Sequence, residues 1–325
     1  MKAFVVILIV LAAVLALLLL ASFYFFRAVF CRGVGLPSFL VKRLADPFWD
    51  QYAESMKAGA DWFRAQPYET VSIRSRDGLK LHGKFLPAEE ESNRTILLFH
   101  GYRSYGLRDF SCIFQHYHEM GLNILLIDER AHGESEGKYL TLGVKERFDC
   151  LDWARYAADR FGPEHTLLIG GISMGTAVVL MASSLGLPEN VRGMTADCGF
   201  TSPKEIVEKV MKENMHLPTF PLLPLVGMWC RLLANFRLDE ANAAESVKHC
   251  SIPILFIHST GDNFVPFRMT EEMKQNCASP CALHMVPDAP HGASYIVSPE
   301  RCLAILKRFF TDPEATVRAL AEENE

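Results

Sequence analysis

Six short apolar runs, each separated from the next by an amphipathic stretch, set the tightest limit on how this chain folds. They are TILLFH (95–100), NILLID (123–128), TLLIGG (166–171), VRGMTAD (191–197), IPILFIH (252–258) and ALHMVP (282–287). Runs that are apolar on both faces are what strands buried on both sides of a parallel sheet require. Helical periodicity recurs between them, at about 106–119, 145–161, 174–186, 203–214, 267–278 and 298–310. This alternation predicts a doubly wound α/β sheet with the helices as crossovers. TVSIRS (70–75) and LKLHGKFLP (79–87) flank Arg76-Asp77-Gly78 and predict an antiparallel hairpin ahead of it. Half of the 325 residues are apolar and 22% are charged, so a packed core is available and general disorder is excluded.

Residues 3–26 hold no charge and are bracketed by Lys2 and Arg27. At about 1.5 Å per residue such a helix crosses a hydrocarbon core of about 30 Å with some tilt. Phe23, Tyr24, Phe25 and Phe26 stand where a cleaved signal needs small residues, so the segment reads as an uncleaved anchor in a bilayer. Arg27, Arg32, Lys42 and Arg43 follow it, and the positive-inside rule then favours the cytoplasmic side for the body. Residues 28–69 read as a juxtamembrane linker with an amphipathic helix through Phe48, Tyr52, Met56, Ala60 and Phe63, ending before Pro67. That helix either packs on the body or lies on the lipid surface. From residue 44 onward 28 basic side chains face 38 acidic ones, a balance that argues against a nucleic-acid partner. The nine cysteines read as unpaired buried thiols in a reducing compartment, since Cys277 and Cys281 have no second pair to complete a zinc site. No metal, cofactor or oligomeric state follows from the residues.

Gly171-Ile172-Ser173-Met174-Gly175 fits G-x-S-x-G where that motif needs to be, after a strand and before a helix. The turn lifts the serine hydroxyl off the sheet edge, and its flanking glycines admit backbone too close for a Cβ. Serine needs a base to take its proton, and the base an acid to orient it. Pro290-His291-Gly292 follows the last strand, and Asp262 follows IPILFIH, both at strand C-termini where α/β sites form. The order Ser173, Asp262, His291 is the one this architecture uses. The backbone N–H of Met174 and of Tyr102, in His100-Gly101-Tyr102, are the candidate oxyanion donors, with Gly101 allowing a sharp turn. Asp197 is an alternative acid, and Asp128 and His132 read as a structural loop beside the site. Asp288 reads as a turn residue, and His116 and His118 do not share a helix face. The uncharged stretch 217–230, inside an insertion at about 201–251, predicts a lid or acyl-chain wall, with ordinary packing as the alternative.

With these marks the chain resembles the α/β-hydrolase-fold serine hydrolases, and more narrowly their membrane-anchored, Bem46-like branch. The marks are HGY at 100–102, DERAHGES at 128–135, GISMG, GDNFVP at 261–266 and PHG at 290–292, spread over about residues 70–311. The apolar run sets an anchor over 1–27, and the resemblance implies an α/β-hydrolase domain over 70–325. It also implies Ser173 as nucleophile, His291 as general base and acid, and Asp262 as its orienting carboxylate. HGYR stands where many lipases have HGGG, which argues against tertiary-alcohol esters. Such proteins include esterases, lipid hydrolases, thioesterases, amidases and peptidases, so kinship does not set the substrate. The expectation is a membrane-tethered hydrolase of carboxylic esters, with acyl lipids in view. A peptidase or amidase of the same fold and a non-catalytic binding body are the alternatives.

Overall fold

Burial along each strand follows its place in a single eight-stranded sheet. The computed structural model describes residues 1–38 and 46–323. Lys42 and Arg43, with the rest of 39–45 of the expected linker, lie outside the described residues. The strands are β1 Glu69–Arg74, β2 Lys80–Leu86, β3 Arg94–Phe99, β4 Asn123–Ile127, β5 Thr166–Ile172, β6 Val191–Asp197, β7 Ile254–Ser259 and β8 Cys281–Val286. Their spatial order is β1-β2-β4-β3-β5-β6-β7-β8. The β1/β2 and β2/β4 pairs are antiparallel and all the others parallel. Inner strands β4 and β7 are buried at every residue, whereas edge strands β1 and β8 are buried only in part. Side chains of β3 divide between two cores, as a period of two demands. Leu97 and Phe99 join Trp153, Val178 and Phe256 on one face. Ile96 and Leu98 join Phe114, Phe309 and Phe310 on the other. Helices Glu146–Phe161 and Met174–Ala182 cover the first face, Phe114–Glu119 and Pro299–Thr311 the second. The mostly parallel sheet with helices on both faces is thus the one the apolar runs predict.

The N-terminal helix runs Lys2–Phe30 and is long and apolar enough to cross a membrane. It extends beyond the expected anchor boundary at 27. Its last turns belong to the body, with Phe26, Ala28 and Phe30 fully buried. They pack on the helix Leu222–Leu233: Phe23 meets Trp229 at 5.2 Å between ring centroids, and Trp229 Nε1 donates to Ser22 Oγ at 3.0 Å. The uncharged 217–230 stretch therefore covers the end of the N-terminal helix. The amphipathic segment folds as a 3₁₀ turn, Pro47–Tyr52, followed by the helix Ala53–Ala65. That helix packs on the body, because Phe63 is fully buried 4.7 Å from the Phe114 ring centroid.

Candidate active site

Strands β5 to β8 are neighbours, so the loops leaving their C-terminal ends meet along one rim. Ser173 sits between β5 and the helix Met174–Ala182 with φ 55° and ψ −115°, in the left-handed region. For a non-glycine residue such backbone costs about 1–3 kcal/mol and persists only where the surroundings hold it. Here the Ser173 N–H donates to Asp197 O at 2.9 Å, and Thr176 Oγ1 donates to Gly171 O at 2.7 Å. A Cβ at Gly171 would stand 2.4 Å from Gly175 C, and one at Gly175 would stand 2.0 Å from Phe99 O. Both glycines serve close approach of backbone.

Three side chains from three loops converge. His291 Nε2 is 2.9 Å from Ser173 Oγ, and His291 Nδ1 is 2.6 Å from Asp262 Oδ2. Asp262 is buried, and its Oδ1 accepts the N–H groups of Phe264 and Val265, each at 2.8 Å. Burial alone would raise its pKa, but His291 and His258 outweigh that and hold the carboxyl below the usual carboxylate range. The two loops touch at Gly261, where a Cβ would come within 2.6 Å of Asp288 C.

His258 is a site neighbour that sequence reading passed over as one more residue of a buried strand. Its Nε2 lies 3.2 Å from Asp262 Oδ2 and 3.2 Å from Val265 O, while Nδ1 lies 2.6 Å from Thr270 Oγ1. Two acceptors at Nε2 place the proton there, so Nδ1 accepts from the threonine hydroxyl. Cys198 Sγ lies within 4.8 Å of ligand atoms of Asp262 and His291, a set that could hold a metal. Burial, reinforced by Asp197 and Asp262, pushes the Cys198 thiol well up, so it stays protonated. Both ring nitrogens of His291 are already engaged, which leaves a hydrogen-bonded cluster and no metal-ready donor set. All nine cysteines are free thiols.

Met174 is the first residue of its helix, where an N–H has no intrahelical acceptor. Across from it runs the loop after β3. Gly101 N–H donates to Asp109 Oδ2 at 2.7 Å and Arg103 N–H to His132 Nε2 at 3.1 Å. Between them the Tyr102 N–H has no acceptor among the described residues. A Cβ at Gly101 would stand 3.1 Å from Asp109 Oδ2, tighter than an ordinary contact, and 3.5 Å from Ser173 Cβ, so the loop passes close beside the serine. The left-handed residue of the loop is instead Arg103, at φ 53°. His132 and His100 support it: their rings meet edge to face at 4.7 Å, and His132 Nδ1 lies 3.0 Å from Arg130 O. Burial, with His100 beside it, pushes the His132 pKa down to about 4. The ring is therefore neutral near pH 7, with its proton on Nδ1 and Nε2 free to accept. Asp128 accepts from Glu134 N–H at 3.0 Å and stands 3.5 Å from Lys84 Nζ, a loop-holding arrangement.

A cavity of about 270 Å³ opens at Ser173 and His291. Phe110, Ile113 and Tyr117 line one side and Tyr295, Ile296 and Leu306 another. Trp49 and Met56, from the segment between the N-terminal helix and β1, also line it. Among the described residues none of 201–251 lines it. Asp197 reaches the cavity from the end of β6, its buried Oδ1 without a hydrogen-bond partner among the described residues. Burial outweighs His258 and His291 there and raises its pKa to about 6. Asp288, at φ 56°, donates its N–H to Thr260 Oγ1 at 3.4 Å, and His116 pairs with Glu119 at 3.1 Å.

A family model described as alpha/beta hydrolase fold matches residues 94–222. The uncharacterized protein YqkD of Bacillus subtilis (strain 168) is 27% identical over 224 residues, 69% of this chain and 72% of that protein. The uncharacterized membrane protein YNL320W of Saccharomyces cerevisiae is 24% identical over 238 residues, 73% of this chain and 77% of that one. Among solved structures, the esterase Pf2001 of Pyrococcus furiosus superposes with a TM-score of 0.62 at 25% identity, over 76% of this chain and 91% of its own. The chain has the α/β-hydrolase fold, and that fold, with an esterase among its neighbours, supports hydrolase activity.

Proposed function

We propose that the chain is a membrane-anchored serine hydrolase of the Bem46-like kind that cleaves carboxylic esters, acyl lipids among them, through an acyl-enzyme on Ser173. The observation that carries this reading is the unbroken relay from Asp262 through His291 to Ser173, opening on a largely apolar cavity. Ser173 Oγ attacks the acyl carbonyl as His291 Nε2 takes its proton, and the carbonyl oxygen becomes an oxyanion facing the Met174 and Tyr102 N–H groups. Collapse expels the alcohol, which leaves with the proton from His291. Water then attacks the ester on Ser173 with His291 again as base, releasing the acid and restoring the hydroxyl. Asp262, fixed through Oδ1, holds the imidazole in one tautomer and stabilises its cation. The helix Lys2–Phe30 supports anchoring in a bilayer, and the basic residues after it favour a body on the cytoplasmic side.

The test is a fluorophosphonate probe and a series of p-nitrophenyl esters of rising chain length, applied to the full chain in detergent. Labelling and turnover are expected, with Ser173→Ala abolishing the first and cutting the second by about a millionfold, as loss of the serine does in such triads. No labelling and no turnover at any chain length by a folded wild-type chain would refute the reading.

A further inference from the structure

The last turn of the N-terminal helix, Lys2–Phe30, meets the loop proposed to hold the oxyanion, and its carbonyls can be accounted for one by one. A helix leaves its last four C=O groups without intrahelical donors. Here Arg27 O accepts from Cys31 N–H at 3.2 Å and Phe30 O from Leu140 N–H at 2.9 Å. The other two are taken by side chains of residues 102 and 103. Tyr102 Oη donates to Val29 O at 2.7 Å, and the Arg103 guanidinium donates to Ala28 O at 2.7 Å and to Cys31 O at 2.9 Å. Arg103 Nε donates in turn to Tyr102 Oη at 2.8 Å, closing the network. A cation at the negative end of a helix dipole is favourable as well. Arg103 needs such support, because its left-handed backbone is strained for a residue with a Cβ.

We propose that Arg103, with the Tyr102 hydroxyl, is a positioning residue that uses the end of the N-terminal helix to aim the Tyr102 N–H at the oxyanion. The loop then has three holds: Asp109 on Gly101, His132 on the Arg103 N–H, and the helix end on both side chains. Residues 2–21 span about 30 Å, the thickness of a hydrocarbon core, before burial begins at Ser22. Val29 follows about 10 Å further along the axis, so the helix fixes the oxyanion loop close under the surface its apolar part would cross. This inference rests on the serine-hydrolase reading and adds to it that the anchor is a working part of the site, as access to lipid-borne esters requires.

The experiment compares the wild-type full chain with Arg103→Ala, Arg103→Lys and Tyr102→Phe, all in the same detergent. It measures ester hydrolysis, thermal midpoint and affinity for a trifluoromethyl ketone, which forms an oxyanion on the serine. Misplacing one oxyanion donor by about 1 Å predicts a kcat loss of about 10- to 100-fold for Arg103→Ala, with KM within about twofold. Ketone affinity should fall in parallel with kcat, and Arg103→Lys, which keeps the charge at the helix end, should recover part of both. A merely structural role would lower the midpoint and the amount of active protein while leaving kcat per labelled serine and ketone affinity at wild-type values, and that result overturns the proposal. Should Arg103→Ala fail to fold, Tyr102→Phe decides by the same readouts, since it removes only the hydroxyl on Val29 O. Absence of labelling in the wild type would sink the hydrolase reading itself, whereas a labelled wild type with unaffected variants sinks only this inference.

Discussion

Gly175→Ala should unfold more of the protein and silence more of its chemistry than its single methyl group suggests. The added Cβ would lie 2.0 Å from Phe99 O, 2.5 Å from Phe99 C and 2.9 Å from His100 O. All three are backbone atoms, belonging to β3 and the loop that leads to Gly101 and Tyr102, so no side chain can swing aside. The helix Met174–Ala182 must instead retreat from the sheet by about 1 Å, an overpacking change that costs about 1–3 kcal/mol. The retreat carries Ser173 and the Met174 N–H with it, and a displacement of that size costs up to about 100-fold in rate. Gly227→Ala is the matched control. Gly227 lies inside the helix Leu222–Leu233, and its Cβ would meet only Leu238 Cδ1, at 3.9 Å, an ordinary contact. Alanine there should stabilise by about 0.5–1 kcal/mol through helix propensity and a smaller unfolded ensemble. Urea midpoints of the full chain in detergent should therefore move in opposite directions for the two variants, and fluorophosphonate labelling should slow only in Gly175→Ala. Equal midpoints and equal labelling rates would refute the argument that this helix is pressed against β3 to place the serine.

Asp197→Asn should stabilise the fold above about pH 6. Because the folded pKa lies at about 6, above the ordinary 3.8, ionisation works against the folded state, and the protein loses stability between those values as pH rises. The variant's advantage, at most about 3 kcal/mol at pH 8, should vanish below about pH 4, and an advantage of the same size at both pH values in denaturant titrations would contradict this account. Arg130→Ala should cost about 3–5 kcal/mol, because it strands the buried Asp149 carboxylate that Arg130 now holds at 2.5 and 2.6 Å. Adding Asp149→Leu should recover a large part of that loss in the same unfolding assay, and no recovery would refute the stranded-charge explanation.

The sheet was legible because its inner strands are buried on both faces and carry no polar alternation, as TILLFH and NILLID show. The hairpin was legible for the opposite reason, since β1 and β2 form an edge where polar residues return. Ser173 and His291 were readable because each sits in a short motif at a junction that the strand pattern locates. His258 was not, since a histidine buried in a strand has the same sequence appearance whether it holds an acid or fills space, and His132 was legible only as part of a loop beside the site, without its hold on the Arg103 N–H. The 217–230 stretch shows the same limit for apolar surface. Its composition said that something covers it, but the identity of the cover depends on where the N-terminal helix ends. That helix continues past the apolar run into Arg27–Phe30 and brings Phe23 and Phe26 alongside Trp229 and the body, which occupies the segment expected over the site. Trp49 and Met56 line the cavity from the 3₁₀ turn and the helix that follows it, a segment whose period already fitted packing on the body; only the three-dimensional path shows that it passes the mouth.

The sequence left Asp197 open as a rival to Asp262, and the difference between them lies in what each carboxylate's second oxygen does. Both stand at the C-terminal rim, Asp197 at the end of β6 and Asp262 after β7. Asp262 has Oδ1 fixed by two N–H groups of its own turn, so Oδ2 is presented in one direction, toward His291 Nδ1. Its charge is thereby favoured in spite of burial, and a charged, oriented acceptor is what an imidazole that must become a cation needs. Asp197 has its carbonyl committed to the Ser173 N–H and one carboxylate oxygen with no donor among the described residues, and its burial, outweighing the nearby histidines, raises its pKa. An acid poised between charged and neutral near pH 6 would be a poor counter-ion for the histidine of the proposed relay, which would cycle its charge in each turnover. In the proposed relay the turn Asp262-Asn263-Phe264-Val265, more than the position of an aspartate on the rim, is therefore what would select the acid. The same logic predicts that Asp262→Asn, which keeps the shape and deletes the charge, lowers kcat by about 10⁴-fold while leaving KM little changed. A kcat within tenfold of wild type would mean that Asp197 can take over the role.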